Sequence, residues 1–132
     1  MWAFSADTEY PKMRILLVDD EKAFLFILGE ILRTNGYAVT PAEDGQEAKA
    51  LLDRGTYDLV ISDVYMPRID GFQLHAYVRS TAAHAQVPFI FLTGADHQET
   101  RTIASDRRRD AVLVKTAPVE EIVACIEKLR AA

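Results

Sequence analysis

Hydrophobic residues along the chain are concentrated in five short runs, which the pattern predicts to be β-strands. The runs cover residues 14–18, 37–40, 58–62, 88–92 and 111–114. Several of them are continuous rather than alternating, such as ILLV in the first run and FIFL in the fourth. Continuous apolar runs of this length are typical of strands that are buried on both faces of a sheet.

The segments between these runs show the spacing of amphipathic helices. The predicted helices cover residues 23–33, 46–54, 71–80, 97–106 and 119–131. In the first helix the expected core positions are Phe24, Ile27, Leu28, Ile31 and Leu32. The helix should end at Asn35-Gly36, since glycine favours the left-handed cap conformation.

The fourth predicted helix has the weakest pattern, with only Ile103 and Ala104 as apolar core positions. Strands and helices nevertheless alternate five times along the chain. This alternation predicts an α/β fold with a parallel sheet, helices on both faces and right-handed crossovers.

Composition and charge narrow the class of protein. The chain has 132 residues, a net charge of −5 and a pI near 5.1, which argues against direct nucleic-acid binding. The single cysteine, Cys125, excludes an internal disulfide framework and a cysteine-based zinc site, and we expect it to be a buried small hydrophobe.

The chain shows no signal-peptide pattern, and its longest strongly apolar run, residues 23–28, is too short to cross a membrane. We therefore expect a cytoplasmic protein without membrane insertion. Residues 1–12 are expected to be a flexible N-terminal leader and residues 13–132 a single domain, with no attached output domain.

Polar residues follow all five predicted strands. Asp19 and Asp20 follow the first strand, Asp63 the third, Thr93 the fourth and Lys115 the fifth. Functional groups of open parallel sheets collect beyond the carboxyl ends of the strands, where strand order reverses. These five residues are therefore the candidate site, whereas Glu43 and Asp44 after the second strand are expected to lie to one side.

Three carboxylates at one edge repel each other, by about 4 kcal/mol per pair at ~4 Å and an effective dielectric near 20. A bound cation relieves this repulsion, and oxygen ligands without histidine or cysteine favour Mg²⁺. Lys115 offers a point charge suited to phosphate, and Thr93 a hydroxyl. This set indicates phosphoryl transfer with Asp63 as a nucleophile that forms an aspartyl phosphate.

From residue 13 to residue 129 the chain resembles the receiver domain of bacterial two-component response regulators. The matching segments are ILLVDDE, DLVISDVYMPRIDG, PFIFLTG and VLVK, in the order and spacing of that family. The resemblance implies a flavodoxin-like fold with five parallel strands in the order 2-1-3-4-5. It also implies a phosphorylation-controlled signalling switch that catalyses its own phosphorylation and dephosphorylation.

The resemblance further implies a role for each site residue. Asp63 would accept a phosphoryl group from a sensor histidine kinase or histidine phosphotransfer protein, and a downstream protein target would read the result. Thr93 corresponds to the switch residue whose hydroxyl turns toward the phosphoryl group, and Lys115 to the lysine that contacts it. The implied ligands of Mg²⁺ are Asp19, Asp20, Asp63 and the backbone carbonyl of Tyr65.

Three positions depart from the family pattern. Lys115 is followed by Thr116 rather than by a cis proline, so we expect either a trans loop or a strained one, because a cis bond without proline costs about 2.5–4 kcal/mol. Val112 stands where a switching aromatic residue is common. Tyr65 is bulky for a position that guards the phosphoryl group.

Two other functions remain open from the sequence. A small phosphohydrolase with an aspartate nucleophile fits less well, because that class places the nucleophile on its first strand within a D-x-D-G pattern. A degenerate receiver that binds a partner without phosphorylation usually lacks an acid or the lysine, and both are present here.

The remaining polar residues are expected to have ordinary roles. His75, His84 and His97 show no metal-ligand spacing, and we expect surface or helix roles for them. Residues 107–109, three consecutive arginines, are expected to form a solvated loop before the last strand.

Overall fold

The computed structural model describes residues 12–94, 98–104 and 106–131. Residues 1–11, which make up nearly all of the expected leader, lie outside the described residues. None of the described helices has the length and hydropathy that crossing a membrane requires. The elements in chain order are β1 (Arg14–Val18), α1 (Lys22–Thr34), β2 (Ala38–Ala42), α2 (Gly45–Arg54), β3 (Leu59–Ser62), α3 (Gly71–Ser80), β4 (Phe89–Thr93), α4 (Gln98–Ile103), β5 (Asp110–Val114) and α5 (Val119–Ala131).

The five strands form one parallel sheet in the order β2-β1-β3-β4-β5. This confirms the flavodoxin-like order that the resemblance implied. Strand β1 lies between β2 and β3, so the chain moves to one side of β1 first and to the other side afterwards. The strand order therefore reverses at β1 and β3, where a ligand crevice is expected at the carboxyl ends.

The hydrophobic core is divided by the sheet into two layers. Ile15 and Leu17 of β1 face a layer formed with α1 and α5, whereas Leu16 and Val18 face a layer formed with α2 and α3. All four side chains are buried. The continuous run in the sequence thus reflects a central strand that is covered on both faces.

Two helices present different faces from those expected. In α1, Leu25 is buried and Ile27 is 56% exposed, so the prediction of Ile27 as a core residue is wrong. In α4, Ile103 is also exposed, and Thr100 takes the fully buried position instead. This short helix packs through a hydroxyl-bearing side chain, which an apolar pattern cannot reveal.

The ends of several elements follow local capping chemistry. Gly36, the residue after the C-cap of α1, has a φ of 95°, the left-handed conformation expected at the end of this helix. Strand β2 continues to Ala42 through Pro41, which an edge strand tolerates because one of its sides needs no hydrogen bonds. At the start of α3, Asp70 Oδ1 accepts from the Gln73 amide at 2.9 Å and Gln73 Oε1 accepts from the Asp70 amide at 3.0 Å.

His75 and His84 are both buried. His75 lies within α3, which agrees with one of the two expected roles, whereas His84 lies in the turn after α3, so the expectation of a surface or helix role is wrong for His84. His75 Nε2 lies 3.1 Å from both carboxylate oxygens of Asp110, and its ring packs edge-on against Phe89. His84 Nε2 lies 2.9 Å from the carbonyl oxygen of Leu52. Each histidine satisfies a polar group that the fold has buried, and His97 lies outside the described residues.

The buried Asp110 carboxylate links α3 to the edge strand β5. Besides His75, it accepts a hydrogen bond from Arg79 Nη2 at 2.5 Å, and Arg79 Nη1 donates to the carbonyl oxygen of Val87 at 2.6 Å. Burial alone raises the pKa of Asp110, but the hydrogen bonds from His75 and Arg79 outweigh it and lower the pKa below the ordinary value of 3.8.

Replacing Asp110 by asparagine should destabilise the protein by about 3 kcal/mol at neutral pH, because Arg79 then loses its buried counter-charge. Because the pKa of Asp110 is lower in the folded protein, its ionised carboxylate stabilises the fold at pH values above the ordinary pKa. This stabilisation is lost as the pH falls through the pKa of the folded state. Stability of Asp110→Asn should therefore decline less steeply than wild type below pH 3.8. Urea unfolding at several pH values measures both effects.

Glu120→Gln is the matched control for this change, because it removes one negative charge from an exposed position on α5. It should alter stability by less than about 0.5 kcal/mol. Equal effects of the two substitutions, or equal acid sensitivity of Asp110→Asn and wild type, would contradict a stabilising role for the Asp110 network.

Candidate functional site

The two central strand tips bring Asp19 and Asp63 together. Val18 and Ser62 are paired in the register of β1 and β3, so the next residue of each strand emerges at the same edge. The amide of Asp63 donates to the carbonyl oxygen of Val18 at 2.9 Å, which extends the ladder by one bond. Both aspartate side chains are buried, as the sequence could not show.

Asp20 completes an acidic cluster with these two residues. One carboxylate oxygen from each of Asp19, Asp20 and Asp63 lies within 4.8 Å of the others. Asp20 is exposed, so the cluster opens to solvent on one side. The structure thus brings together the three acids that the sequence predicted.

Lys115 directly follows the edge strand β5, and its side chain extends to this cluster. Its backbone amide donates to the carbonyl oxygen of Thr93 at 2.7 Å, which aligns the tips of β4 and β5. Its ammonium Nζ lies 2.8 Å from Asp19 Oδ2 and 3.1 Å from Asp63 Oδ2. The side chain is only 13% exposed, so it acts as a largely buried counter-ion for the two central acids.

A third acid contacts the same ammonium, and the sequence analysis missed it. Glu21 Oε1 accepts from Lys115 Nζ at 2.7 Å, the shortest of the three contacts. Glu21 precedes the first residue of α1, and its amide donates to Asp19 Oδ1 at 2.8 Å. Its place after the acid pair was visible, but its contact with Lys115, 94 residues away, depends on the fold.

Burial dominates the electrostatics of the two central acids. It raises the pKa of Asp19 and, together with the charge of Asp19, raises the pKa of Asp63, despite the opposing effect of Lys115. Burial lowers the pKa of Lys115, but hydrogen bonds to Asp19 and Glu21 outweigh this and raise it above the ordinary value. The lysine therefore stays charged. Its single positive charge does not fully stabilise the charged forms of the two buried carboxylates, whose pKa values stay raised.

Thr93 and Tyr65 lie at the rim of the same edge. Thr93 ends β4, is buried and is paired with Val114 in the register of β4 and β5. Tyr65 is 50% exposed and its ring packs edge-to-face against Phe72, with centroids 6.1 Å apart. The role of the Tyr65 carbonyl as a metal ligand stays a prediction, and so does the movement of the Thr93 hydroxyl.

The structure describes two of the positions that depart from the family pattern, the Lys115–Thr116 bond and Val112. Within the described residues no peptide bond is cis, so Lys115 and Thr116 are joined by a trans bond, one of the two expected outcomes. The amide of Ala117 donates to the carbonyl oxygen of Val114 at 3.0 Å and turns the chain toward α5. Val112 is half-buried against the layer that contains α2 and α3.

The loop between β3 and α3 returns to the back of Asp63. The amide of Gly71 donates to the carbonyl oxygen of Val64 at 2.7 Å. A Cβ at Gly71 would lie 2.3 Å from the Asp63 carbonyl oxygen and 2.9 Å from Val64 Cα. Arg68 has a φ of 67° and pairs with Asp44 at 2.8 Å, which ties this loop to the start of α2.

Two other expectations concern the surroundings of the site. Residues 107–109 form a turn before β5, in which Arg107 and Arg108 are exposed while Arg109 is half-buried and pairs with Asp106 at 2.8 Å. Cys125 is half-buried rather than fully buried, and burial raises the pKa of its thiol.

The acidic cluster has the donor set of a hard divalent cation. Its three carboxylates supply only oxygen ligands, and an opening toward solvent leaves room for water. Two of these carboxylates, Asp19 and Asp63, are buried, and Lys115 alone does not balance their combined negative charge. The residues present therefore fit Mg²⁺, and two of the three carboxylates, those of Asp19 and Asp63, also contact Lys115.

A flavodoxin-like sheet with an acidic pocket and an opposing lysine at its strand tips defines a class of phosphoryl-accepting signalling domains. Residues 15–127 match the family model for the response regulator receiver domain. The chain belongs to this family of two-component signalling proteins, in which receiver domains act with histidine kinases and downstream effectors. The match favours the receiver over the phosphohydrolase that the sequence had left open.

Three known proteins illustrate the similarity. The chain is 37% identical to the gliding motility regulatory protein of Myxococcus xanthus and 38% identical to response regulator MprA of Mycobacterium leprae, each over 89% of the chain. It spans 15% of the length of the first relative and 50% of the second. The structure of response regulator TrrA of Thermotoga maritima in complex with Mg²⁺ and BeF matches with a TM-score of 0.77 and 34% identity, covering 89% of this chain and 98% of that one.

Gly71→Ala should destabilise the protein by about 1–3 kcal/mol, because the added methyl group collides with backbone atoms of Asp63 and Val64. The shift of Asp63 that relieves the collision should also weaken Mg²⁺ binding. Gly55→Ala is the control, since its Cβ meets no atom closer than 3.9 Å. Thermal unfolding and calorimetric Mg²⁺ titration of both variants test this, and equal behaviour would contradict the predicted collision.

Proposed function

We propose that residues 13–132 act as one receiver domain that accepts a phosphoryl group on Asp63 in a Mg²⁺-dependent reaction. The observation that carries this proposal is the contact of the Lys115 ammonium with both Asp19 and Asp63. It supports the proposal because the groups proposed as nucleophile, metal ligand and phosphate-binding cation lie within one pocket.

The proposed step transfers a phosphoryl group from a histidine nitrogen of the donor to a carboxylate oxygen of Asp63. A carboxylate oxygen of Asp63 attacks the phosphorus of a phosphohistidine, the new O–P bond forms, and the P–N bond breaks. The bonding electron pair returns to the imidazole nitrogen of the donor. Hydrolysis of the acyl phosphate by water restores the Asp63 carboxylate and releases inorganic phosphate, which resets the domain.

The protein's own groups position and neutralise the reactants. Oδ1 of Asp63 accepts from the amide of Val64 at 2.8 Å, which fixes the orientation of the carboxylate. Lys115 lies beside the other oxygen, Oδ2, where it can bind an oxygen of the incoming phosphoryl group. Both contacts hold the nucleophile in place before the donor arrives.

Mg²⁺ would be held by Asp19, Asp20, Asp63 and the backbone carbonyl of Tyr65. When bound, it supplies positive charge that offsets the charge on the phosphoryl oxygens. The fit of the three carboxylates supports this ligand set. TrrA, 34% identical to this chain, is described in complex with Mg²⁺ and BeF, which is consistent with a metal-dependent site.

The donor would be a sensor histidine kinase or a histidine phosphotransfer protein, and the output a contact with a downstream protein target. Thr93 at the tip of β4 is the proposed switch residue, with its hydroxyl turning toward the phosphoryl group. Moving a two-state switch from 1:99 to 99:1 takes about 5.5 kcal/mol of differential interaction. A few charge-assisted hydrogen bonds from Lys115 and Thr93 are of this order.

A degenerate receiver is the rival within the same family. Such a domain binds its partner without phosphorylation and commonly lacks one of the reactive residues. Here the three acids and the lysine are present and lie at one strand edge. Their arrangement therefore favours a receiver that accepts a phosphoryl group over a degenerate receiver.

Incubation of the wild-type protein with Mg²⁺ and acetyl phosphate should add one phosphoryl group, measured by intact-protein mass spectrometry. Asp63→Asn should abolish the adduct, because the amide is a far weaker nucleophile than a carboxylate. Asp44→Asn is the matched control, since Asp44 lies at the same sheet edge but caps α2 by accepting from Glu47.

The control should form the adduct as wild type does. A wild-type protein that binds Mg²⁺ yet gains no mass with acetyl phosphate, and whose mass also stays unchanged with a phosphorylated histidine donor, would establish the degenerate receiver instead. An adduct that persists in Asp63→Asn would place the acceptor on another residue.

A further inference from the structure

Within the described residues the Lys115 ammonium contacts three carboxylates, and of these Glu21 alone lies outside the proposed metal-ligand set. Its Oε1 atom lies 2.7 Å from Nζ, closer than Asp19 Oδ2 at 2.8 Å or Asp63 Oδ2 at 3.1 Å. The Glu21 side chain is 66% exposed, so it approaches the ammonium from the solvent side.

The start of α1 forms a second contact with the same ammonium. Lys115 Nζ lies 4.8 Å from the centroid of the Phe24 ring, within the range of a cation–π contact. Glu21 and Phe24 are three residues apart and therefore lie on one side of the first helical turn. Together they give the ammonium two contacts other than those with Asp19 and Asp63.

This second place matters because Lys115 and a divalent cation would share the carboxylates of Asp19 and Asp63. Asp19 and Asp63 each have one carboxylate oxygen turned to Lys115, and both carboxylates belong to the cluster that fits a metal. Two cations competing for one pair of carboxylates repel each other. A partner for Lys115 outside the cluster reduces this competition.

We propose that Glu21 is a positioning residue that holds the Lys115 ammonium on the α1 side of the pocket, leaving Asp19 and Asp63 available to Mg²⁺. This inference rests on the proposed metal-dependent function and adds a residue to it. Glu21 acts on the metal only through Lys115 and is not itself a metal ligand.

The local structure suits Glu21 to this role. It occupies the N-cap position of α1, but its side chain makes no capping hydrogen bond and is left for Lys115. Its backbone is fixed without the side chain, because its amide donates to Asp19 Oδ1 and its carbonyl accepts from the Leu25 amide at 2.9 Å. A glutamine at this position keeps the backbone contacts and removes only the charge.

A double-mutant cycle with Lys115→Met tests the proposal, with Mg²⁺ affinity measured by isothermal titration calorimetry. In the wild-type background, Glu21→Gln should weaken Mg²⁺ binding about fivefold, the lower end of typical coupling between sites. In the Lys115→Met background the same change should alter the dissociation constant less than about twofold, because the coupled partner is absent.

Glu43→Gln is the control for charge alone. Glu43 follows β2 at the same sheet edge and lies 3.7 Å from Lys22 instead of Lys115. Its substitution should change Mg²⁺ affinity less than about twofold in both backgrounds. The melting temperature of metal-free Glu21→Gln should match that of wild type, which separates positioning from a structural role.

An equal loss of affinity from Glu21→Gln in both backgrounds would overturn the proposal and assign Glu21 a general charge effect. No loss in the wild-type background would also overturn it. The proposed function fails separately: a wild-type protein that binds Mg²⁺ but forms no adduct on Asp63 contradicts the phosphoacceptor while the cycle still measures the coupling.

Discussion

The structure of the site depends on one interaction, the burial of the Lys115 ammonium between the carboxylates of Asp19 and Asp63. Two buried acids at neighbouring strand tips are unfavourable without a cation, as the raised pKa values of both show. The ammonium of Lys115, which follows the edge strand β5, offsets part of the repulsion between the two carboxylates. It thereby connects the tips of β1, β3 and β5 into one pocket.

The rest of the fold serves to hold these three tips in register. Buried hydrophobic side chains on both faces fix β1 and β3, and the strand ladder continues one bond further to the amide of Asp63. Gly71 allows the following loop to pass directly behind Asp63. At the other end of the sheet, His75, Arg79 and Asp110 join α3 to the edge strand that carries Lys115. Packing and buried polar contacts thus act on the same geometry.

The sequence predicts the parallel fold and the central site residues because strand tips in such a sheet always meet at one edge. Asp19, Asp63 and Lys115 could be identified for that reason. Glu21 could not, since its contact with Lys115 depends on side-chain direction at the start of α1. The buried side chains of His75 and Thr100 escaped prediction as well, because polar residues that find partners in a core leave no hydrophobic pattern.

The central claim is that Lys115 donates to both buried aspartates in the metal-free protein. Through-hydrogen-bond NMR couplings between the side-chain nitrogen of Lys115 and the carboxylate carbons of Asp19 and Asp63 measure these contacts directly. We expect a coupling to each carboxylate and an ammonium protected from solvent exchange. An ammonium that exchanges rapidly with water and shows coupling to neither aspartate would contradict this claim.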